Sequence, residues 1–303
     1  MAMITVQNLQ KSYPGKVAVD GISLSVDEGE IFGILGPNGA GKTTTVECVG
    51  GLRRRDGGSI HVGGHDPATE PTALRKILGI QLQQSLLPEK VTVREAVDLY
   101  ASFYERPADP AELIERLGLG DRRTTYFCRL SGGQKQRLSV ALALVGRPRV
   151  AILDELTTGL DPQARREVWA LLEDLRSTGV TILLVSHFME EAQRLCDRVA
   201  VIDRGRVVAL DTPDGLAAAT LVENRMNFRL SEEIDLGVLG ALGSVQTISE
   251  HAGRVSVVGS ESVISDVLVG LSHAGVRADG LRIEQSNLED AFVSLTTQQA
   301  PGA

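Results

Sequence analysis

Gly36-Pro37-Asn38-Gly39-Ala40-Gly41-Lys42-Thr43-Thr44 fits the spacing GxxxxGK[ST], between a short apolar run, Glu30–Leu35, and a helix-compatible stretch, Thr43–Leu52. Gly36, Gly39 and Gly41 let the backbone curl so that successive N–H groups point inward. That nest and the positive end of the following helix suit phosphate oxygens. Lys42 would bridge the outer phosphates of a nucleotide, and Thr43 would offer its hydroxyl to Mg2+. A second apolar run ends in two acids, Val150-Ala151-Ile152-Leu153-Asp154-Glu155. Asp154 would hold the metal through water, and Glu155 would polarise or deprotonate an attacking water. Many strands end in acids, so the pair takes its meaning from the phosphate loop that precedes it.

Leu130-Ser131-Gly132-Gly133-Gln134 opens another helix, Lys135–Val145. Ser131 and two glycine backbones at a helix N-terminus would make a second anion site. Taken alone, the same residues are a serine cap after a flexible turn. The phosphate loop, LSGGQ, the Asp-Glu pair and a later His187, in this order, resemble the ATP-binding subunits of ABC transporters. The resemblance is specific over about residues 2–220. It implies an α/β P-loop NTPase core (an ABC ATPase) with ATP and Mg2+ as its cofactors. It also implies a homodimer with two shared ATP sites, because LSGGQ in this family faces the γ-phosphate held by the opposite subunit.

The family's remaining positions carry over residue by residue. The loop Gly36–Thr44 would bind ATP, with Pro37, Asn38, Ala40 and Thr44 as its other members. Tyr13 matches the aromatic that stacks on adenine. Gln83 matches the glutamine that touches the metal or its water; Gln81 and Gln84 are rivals, with Gln83 preferred. Asp161, in Thr158-Gly159-Leu160-Asp161, matches the loop that crosses the dimer interface, and His187 matches the histidine that reaches the γ-phosphate. The expected catalytic groups are therefore Lys42, Glu155 and His187, the expected metal-holding groups Thr43, Asp154 and Gln83, and the expected groups acting in trans Ser131, Gly132, Gly133 and Gln134.

One position departs from the family. The usual proline after the acid pair is Leu156, and losing a fixed φ is expected to loosen that turn. Such a leucine, the stretch QKQRLSVALALVGRPRVAILDELTTGLDPQARR and the ending Asn287-Leu-Glu-Asp-Ala-Phe-Val-Ser-Leu-Thr resemble the daunorubicin/doxorubicin-resistance ATPases. These pair with a separate ABC-2-type transmembrane permease. That branch implies export of a drug-like or amphipathic compound, with a helix-rich insert docking the permease. The alternatives fit less well. A translation factor of this family carries two cassettes, a repair clamp splits its cassette with long coiled coils, and an inert scaffold would not need Glu155 and His187. This chain has one phosphate loop, and Lys42 and Asp154 are only 112 residues apart.

These groups need a scaffold, and the hydrophobic pattern supplies one. Ile4–Leu9 and Val17–Val26 alternate as strands, an antiparallel N-terminal part. Glu30–Leu35, Ile77–Gln83, Val150–Leu153 and Val180–Ser186 are short apolar runs separated by helical stretches at Thr43–Leu52, Lys135–Val145, Gln163–Ser177 and Phe188–Cys196. Continuous apolar strands imply a mainly parallel sheet covered on both faces. VAVIDRGRVVAL reads as a hairpin turning at Arg204-Gly205. Residues 84–130 read as a helical insert, with Thr92 or Thr124 as caps and Pro107 and Pro110 as a break. From about 221 to 303, short strands (Met226–Leu230, Ser244–Ser249, Arg254–Val258, Gly280–Glu284) and a helix, Glu261–His273, suggest a small α+β accessory domain beside a nucleotide-binding domain over 1–220.

The chain's 303 residues allow one large and one smaller domain, and 43% apolar with 23% charged residues excludes wholesale disorder. A net charge of −8 argues against nucleic acid or anionic lipid as the main partner. The acidity is concentrated: residues 221–303 hold 5 basic and 11 acidic side chains, and no lysine. No apolar run approaches the roughly 18–20 residues needed to span a bilayer, so no direct membrane insertion is expected. The opening MAMITVQNLQKSY lacks a signal-peptide pattern. The expected location is cytoplasmic, peripheral on the inner membrane face through the permease. Cys48, Cys128 and Cys196 are far apart and read as buried small hydrophobes. His61 and His65 flank a hairpin glycine pair rather than a metal face, and Arg53-Arg54-Arg55 reads as a complement to the helix dipole.

Overall fold

In a computed structural model, residues 1–82, 87–219, 224–232, 234–251, 253–260, 262–284 and 288–297 are described. The chain divides into two compact units, built on Met1–Pro213 and on Asp214–Ser294.

The first unit opens with β1 (Ala2–Tyr13) and β2 (Lys16–Asp27), two twelve-residue alternating strands joined by a tight turn. They form an antiparallel sheet with β4 (Gly57–Val62), in the order β2-β1-β4. The central sheet uses β3 (Ile31–Leu35), β5 (Leu78–Gln81), β6 (Val150–Asp154), β7 (Thr181–Val185), β8 (Arg198–Asp203) and β9 (Arg206–Asp211), in the order β5-β6-β7-β3-β8-β9. Five of these strands are parallel and β9 returns antiparallel at the edge. Every residue of β3, β6 and β7 is buried, as the continuous apolar runs require.

One core cluster joins the two sheets through α1 (Lys42–Val49), with Ile4, Phe32, Val46, Ile152 and Ile202 among its members. The remaining helices of this unit are α2 (Pro71–Ile77), α3 (Val93–Ala101), α4 (Pro110–Arg116), α5 (Gly132–Leu144), α6 (Pro162–Ser177) and α7 (Met189–Leu195), and α8 (Pro213–Ala219) opens the second unit. In the insert, Thr92 caps α3 in a reciprocal capping box with Glu95, and Asp109 caps α4 ahead of Pro110. Thr124 caps no helix. Arg116 pairs with Asp174 of α6 at 2.7 Å, binding the insert to the core. Helix α2 has no counterpart in the hydrophobic pattern, because Leu74 is its only buried residue.

The second unit is an antiparallel sheet, β11-β12-β10-β13, from β10 (Asn224–Leu230), β11 (Val245–His251), β12 (Arg254–Gly259) and β13 (Ala278–Glu284). Helices α9 (Gly237–Gly240) and α10 (Val263–His273) follow the first and third strands, a split βαβ pattern, and α11 (Leu288–Thr297) follows β13. Met226, Phe228, Val255, Val257, Val267 and Leu271 form its core. Among the described residues, no helix is long and apolar enough to cross a membrane.

Candidate functional site

The loop Gly36–Gly41 leaves the carboxyl end of β3, where ligands bind in sheets of this kind. Gly36 is required by proximity: a Cβ there would overlap the Ile202 carbonyl. Gly41 has φ +105 and lies against the Ala18 carbonyl, so both space and conformation demand glycine. The Gly205 peptide braces the loop from outside, donating to Ala40 O at 2.8 Å while accepting from Asp20 N at 2.8 Å. Lys42, only 6% exposed, donates to the carbonyls of Gly36 at 2.8 Å and Pro37 at 3.0 Å, so its ammonium folds back across the loop. Burial lowers its pKa, against the opposing pull of the Glu155 and Asp154 carboxylates.

Asp154 ends β6, buried, and its Oδ1 has no hydrogen-bond partner. Burial and the adjacent Glu155 charge push its pKa up to about 6, partly offset by Lys42. An unpartnered buried carboxylate oxygen facing such a cost suits a divalent cation, an ion that also takes Thr hydroxyl and carbonyl oxygens. Glu155 sits at φ +51, in the left-handed region, with its N–H donating to Val185 O at 2.9 Å. His187, just past β7, places Nδ1 3.6 Å from Glu155 Oε1. Where the family's proline is missing, packing and a hydrogen bond hold the turn. Leu156 is fully buried, and its carbonyl accepts from Gln136 Nε2 at 2.6 Å.

A cavity of about 250 Å³ brings together Tyr13, Asn38, Gly39, Gly41, Lys42, Thr43, Thr44 and Glu155 with two residues absent from the sequence expectation, Lys16 and Ala18. Lys16 starts β2, and the turn at Pro14-Gly15 carries it to within 3.6 Å of where a Gly39 Cβ would stand. The Arg53 guanidinium lies 5.3 Å from the Tyr13 ring centroid. Gln81, the rival to Gln83, is 3% exposed; its Oε1 accepts from Asp154 N at 3.2 Å and its Nε2 donates to Leu82 O at 2.6 Å. Gln83 itself, and Gln84, lie outside the described residues.

Ser131, Gly132, Gly133 and Gln134 are not among the residues lining that cavity. Ser131 caps α5: its hydroxyl accepts from Gln134 N at 3.3 Å, and Gln134 Oε1 accepts from Ser131 N at 3.0 Å. Asp161 likewise caps α6, accepting from Gln163 N and Ala164 N. Cys128 is exposed, whereas Cys48 and Cys196 are buried. Arg53 and Arg55 lie beyond the end of α1 and pair with Glu47 and Asp66 rather than with the helix dipole. His61 lies on β4, and His65 pairs with Glu70 at 3.2 Å.

Residues 19–158 match the family described as "ABC transporter". The daunorubicin resistance ATP-binding protein DrrA3 of Streptomyces coeruleorubidus is 37% identical over 97% of this chain and 95% of its own length. The Nod factor export ATP-binding protein I of Burkholderia pseudomallei (strain K96243) is 43% identical over 99% of this chain and 98% of its own. The linearmycin resistance ATP-binding protein LnrL of Bacillus subtilis (strain 168) is 33% identical over 97% and 98%. Among solved structures, an ATP-binding subunit of an ABC transporter superposes with TM-score 0.65 at 28% identity, over 72% of this chain and 92% of that one. A dimeric ATP-binding cassette, MJ0796, in a post-hydrolysis state with ADP and phosphate gives TM-score 0.64 at 26% identity, over 69% and 98%.

Proposed function

Because this chain belongs to the ABC transporter family as an ATP-binding, ATP-hydrolysing subunit, we propose that it drives export by a separate ABC-2-type membrane permease. The observation that carries this reading is the extent of the likeness to DrrA3, which runs through 97% of the chain, beyond the nucleotide-binding unit. The cargo is an amphipathic, drug-like compound, by analogy with relatives whose names refer to daunorubicin, linearmycin and Nod factor.

In this reading ATP lies in the cavity with its base against Tyr13 and its phosphates in the nest Gly36–Thr44. Lys42 leaves the Gly36 and Pro37 carbonyls for the outer phosphates. Glu155 takes the proton of the attacking water, and His187 reaches the γ-phosphate from the other side of Glu155. Thr43, Asp154 and Gln83 would hold Mg2+, which would supply neutralisation of charge on the outer phosphates. Two copies pair so that Ser131–Gln134 and Asp161 of each complete the other's site, and ATP is the ligand that favours the closed pair. The helical insert, 84–130, meets the permease at the inner membrane face. The nucleotide-binding domain is assigned to 1–220, and 221–303 to an accessory domain for pairing or regulation.

Fractionation of cells with and without the permease gene tests this. The chain is expected in the membrane fraction only when the permease is present. Retention on membranes in its absence would overturn the proposal.

A further inference from the structure

Two side-chain contacts, one helical turn apart, tie α6 to the segment that follows His187. The Arg165 guanidinium lies over the Phe188 ring, 4.2 Å from its centroid. One turn on, Trp169 Nε1 donates to Glu191 Oε1 at 3.0 Å. Residues 165 and 169 are four apart on α6, and 188 and 191 are three apart at the start of α7, so the contacts stack as two rungs between the helices. The second rung is sealed from water, while Arg165 and Phe188 of the first are half-buried. Trp169 is 3% exposed and Glu191 0%, while Glu191 Oε2 and Arg165 Nε have no hydrogen-bond partner.

Stability alone does not account for such a pair. A buried carboxylate with a single hydrogen bond carries a desolvation cost that an apolar pair of similar volume would avoid. What the rungs do fix is an orientation. The Phe188 ring packs against the His187 imidazole, with centroids 4.1 Å apart and planes at 38°. That imidazole faces Glu155 at 3.6 Å.

We propose that Arg165 and Trp169 are positioning residues for His187, acting through Phe188 and Glu191, so that α6 sets the angle at which the imidazole meets the nucleotide. The proposal rests on the reading of His187 as the group that reaches the γ-phosphate. It also gives the N-terminal half of α6 a double task, since Asp161 caps the helix one turn before Arg165.

Steady-state ATP hydrolysis by the full chain tests it. Phe188→Leu and Trp169→Phe are expected to lower kcat on the order of tenfold, because displacement of a reacting group by a fraction of an ångström is costly. KM for ATP should stay within about twofold, since the phosphate loop is untouched. Phe188→Tyr keeps the ring and should keep kcat. In a His187→Ala background, Phe188→Leu should cause no further loss, because both changes act through one group. A loss that multiplies in the double variant, or parent kcat in both single variants, would overturn the ladder. Parent kcat in His187→Ala alone would instead overturn the reading of His187, and the proposal with it. Where Trp169→Phe melts below the assay temperature, Phe188→Leu carries the test, because it leaves Glu191 paired.

Discussion

Gln136 Nε2 donates to the carbonyl of Leu156 at 2.6 Å, so the helix capped by Ser131 grips the turn that follows Glu155. The LSGGQ helix and the segment after the Asp-Glu pair are thereby joined by a side-chain bond within one copy. A shift of α5 must move the Glu155 turn or break that bond.

Glu155→Gln keeps the shape of the side chain and removes its proton-accepting charge. Hydrolysis should fall on the order of 10²–10⁴-fold, the usual cost of losing a general base. ATP binding should persist, and the loss of negative charge beside the γ-phosphate should let an ATP-bound dimer accumulate. Size-exclusion chromatography with Mg-ATP reads both; normal turnover would mean that another residue is the base.

Lys42→Ala should behave in the opposite way. The ammonium that caps the Gly36 and Pro37 carbonyls is a cation within the phosphate loop itself. Its removal should abolish detectable ATP binding in a fluorescent-nucleotide titration and leave the chain monomeric under conditions where Glu155→Gln pairs. Tight binding by Lys42→Ala would assign the phosphates elsewhere.

Gly36→Ala inserts a methyl group where the Ile202 carbonyl already stands. Backbone must yield, so the variant should unfold with about 1–3 kcal/mol less stability and bind ATP more weakly. Thermal denaturation with and without ATP separates the two effects. An unchanged melting temperature would show that the loop and β8 are looser than described.

The Arg55–Asp66 pair provides a pH signature. Two hydrogen bonds from the guanidinium, at 2.8 and 2.7 Å, pull the Asp66 pKa down to about 2. A depressed carboxylate stabilises the fold above its unfolded pKa, near 4, and that contribution is lost as pH falls toward 2. Discounted for solvent screening, it amounts to about 1 kcal/mol at neutral pH. Asp66→Asn should therefore destabilise by that much in urea at pH 7, with the difference from the parent shrinking below pH 4.

The residues that make the sheet declare themselves because burial on both faces leaves no polar position, as in Val150–Leu153 and Ile182–Val185. The phosphate loop is legible because glycines and lysine there meet a stringent local requirement. Other features depend on distant partners. Lys16 enters the cavity only because the β1–β2 turn bends toward the loop, and Gln81 matters only because β5 lies beside β6. Helix α9 has four residues and two glycines, too short for any period. The bond that holds the turn at Leu156 comes from Gln136, twenty residues upstream, and no local pattern announces it.

Gly205 is not among the residues lining the nucleotide cavity, yet its N–H is hydrogen-bonded to the phosphate loop at Ala40 and its C=O to β2 at Asp20. The turn between β8 and the edge strand β9 is thus a keystone between the sheet that carries the phosphate loop and the ribbon that carries Tyr13 and Lys16. Evolutionary constraint at such a position would look like selection on chemistry while arising from architecture. A survey of natural variation would rank this surface turn with the ligand-binding residues and give no hint of why.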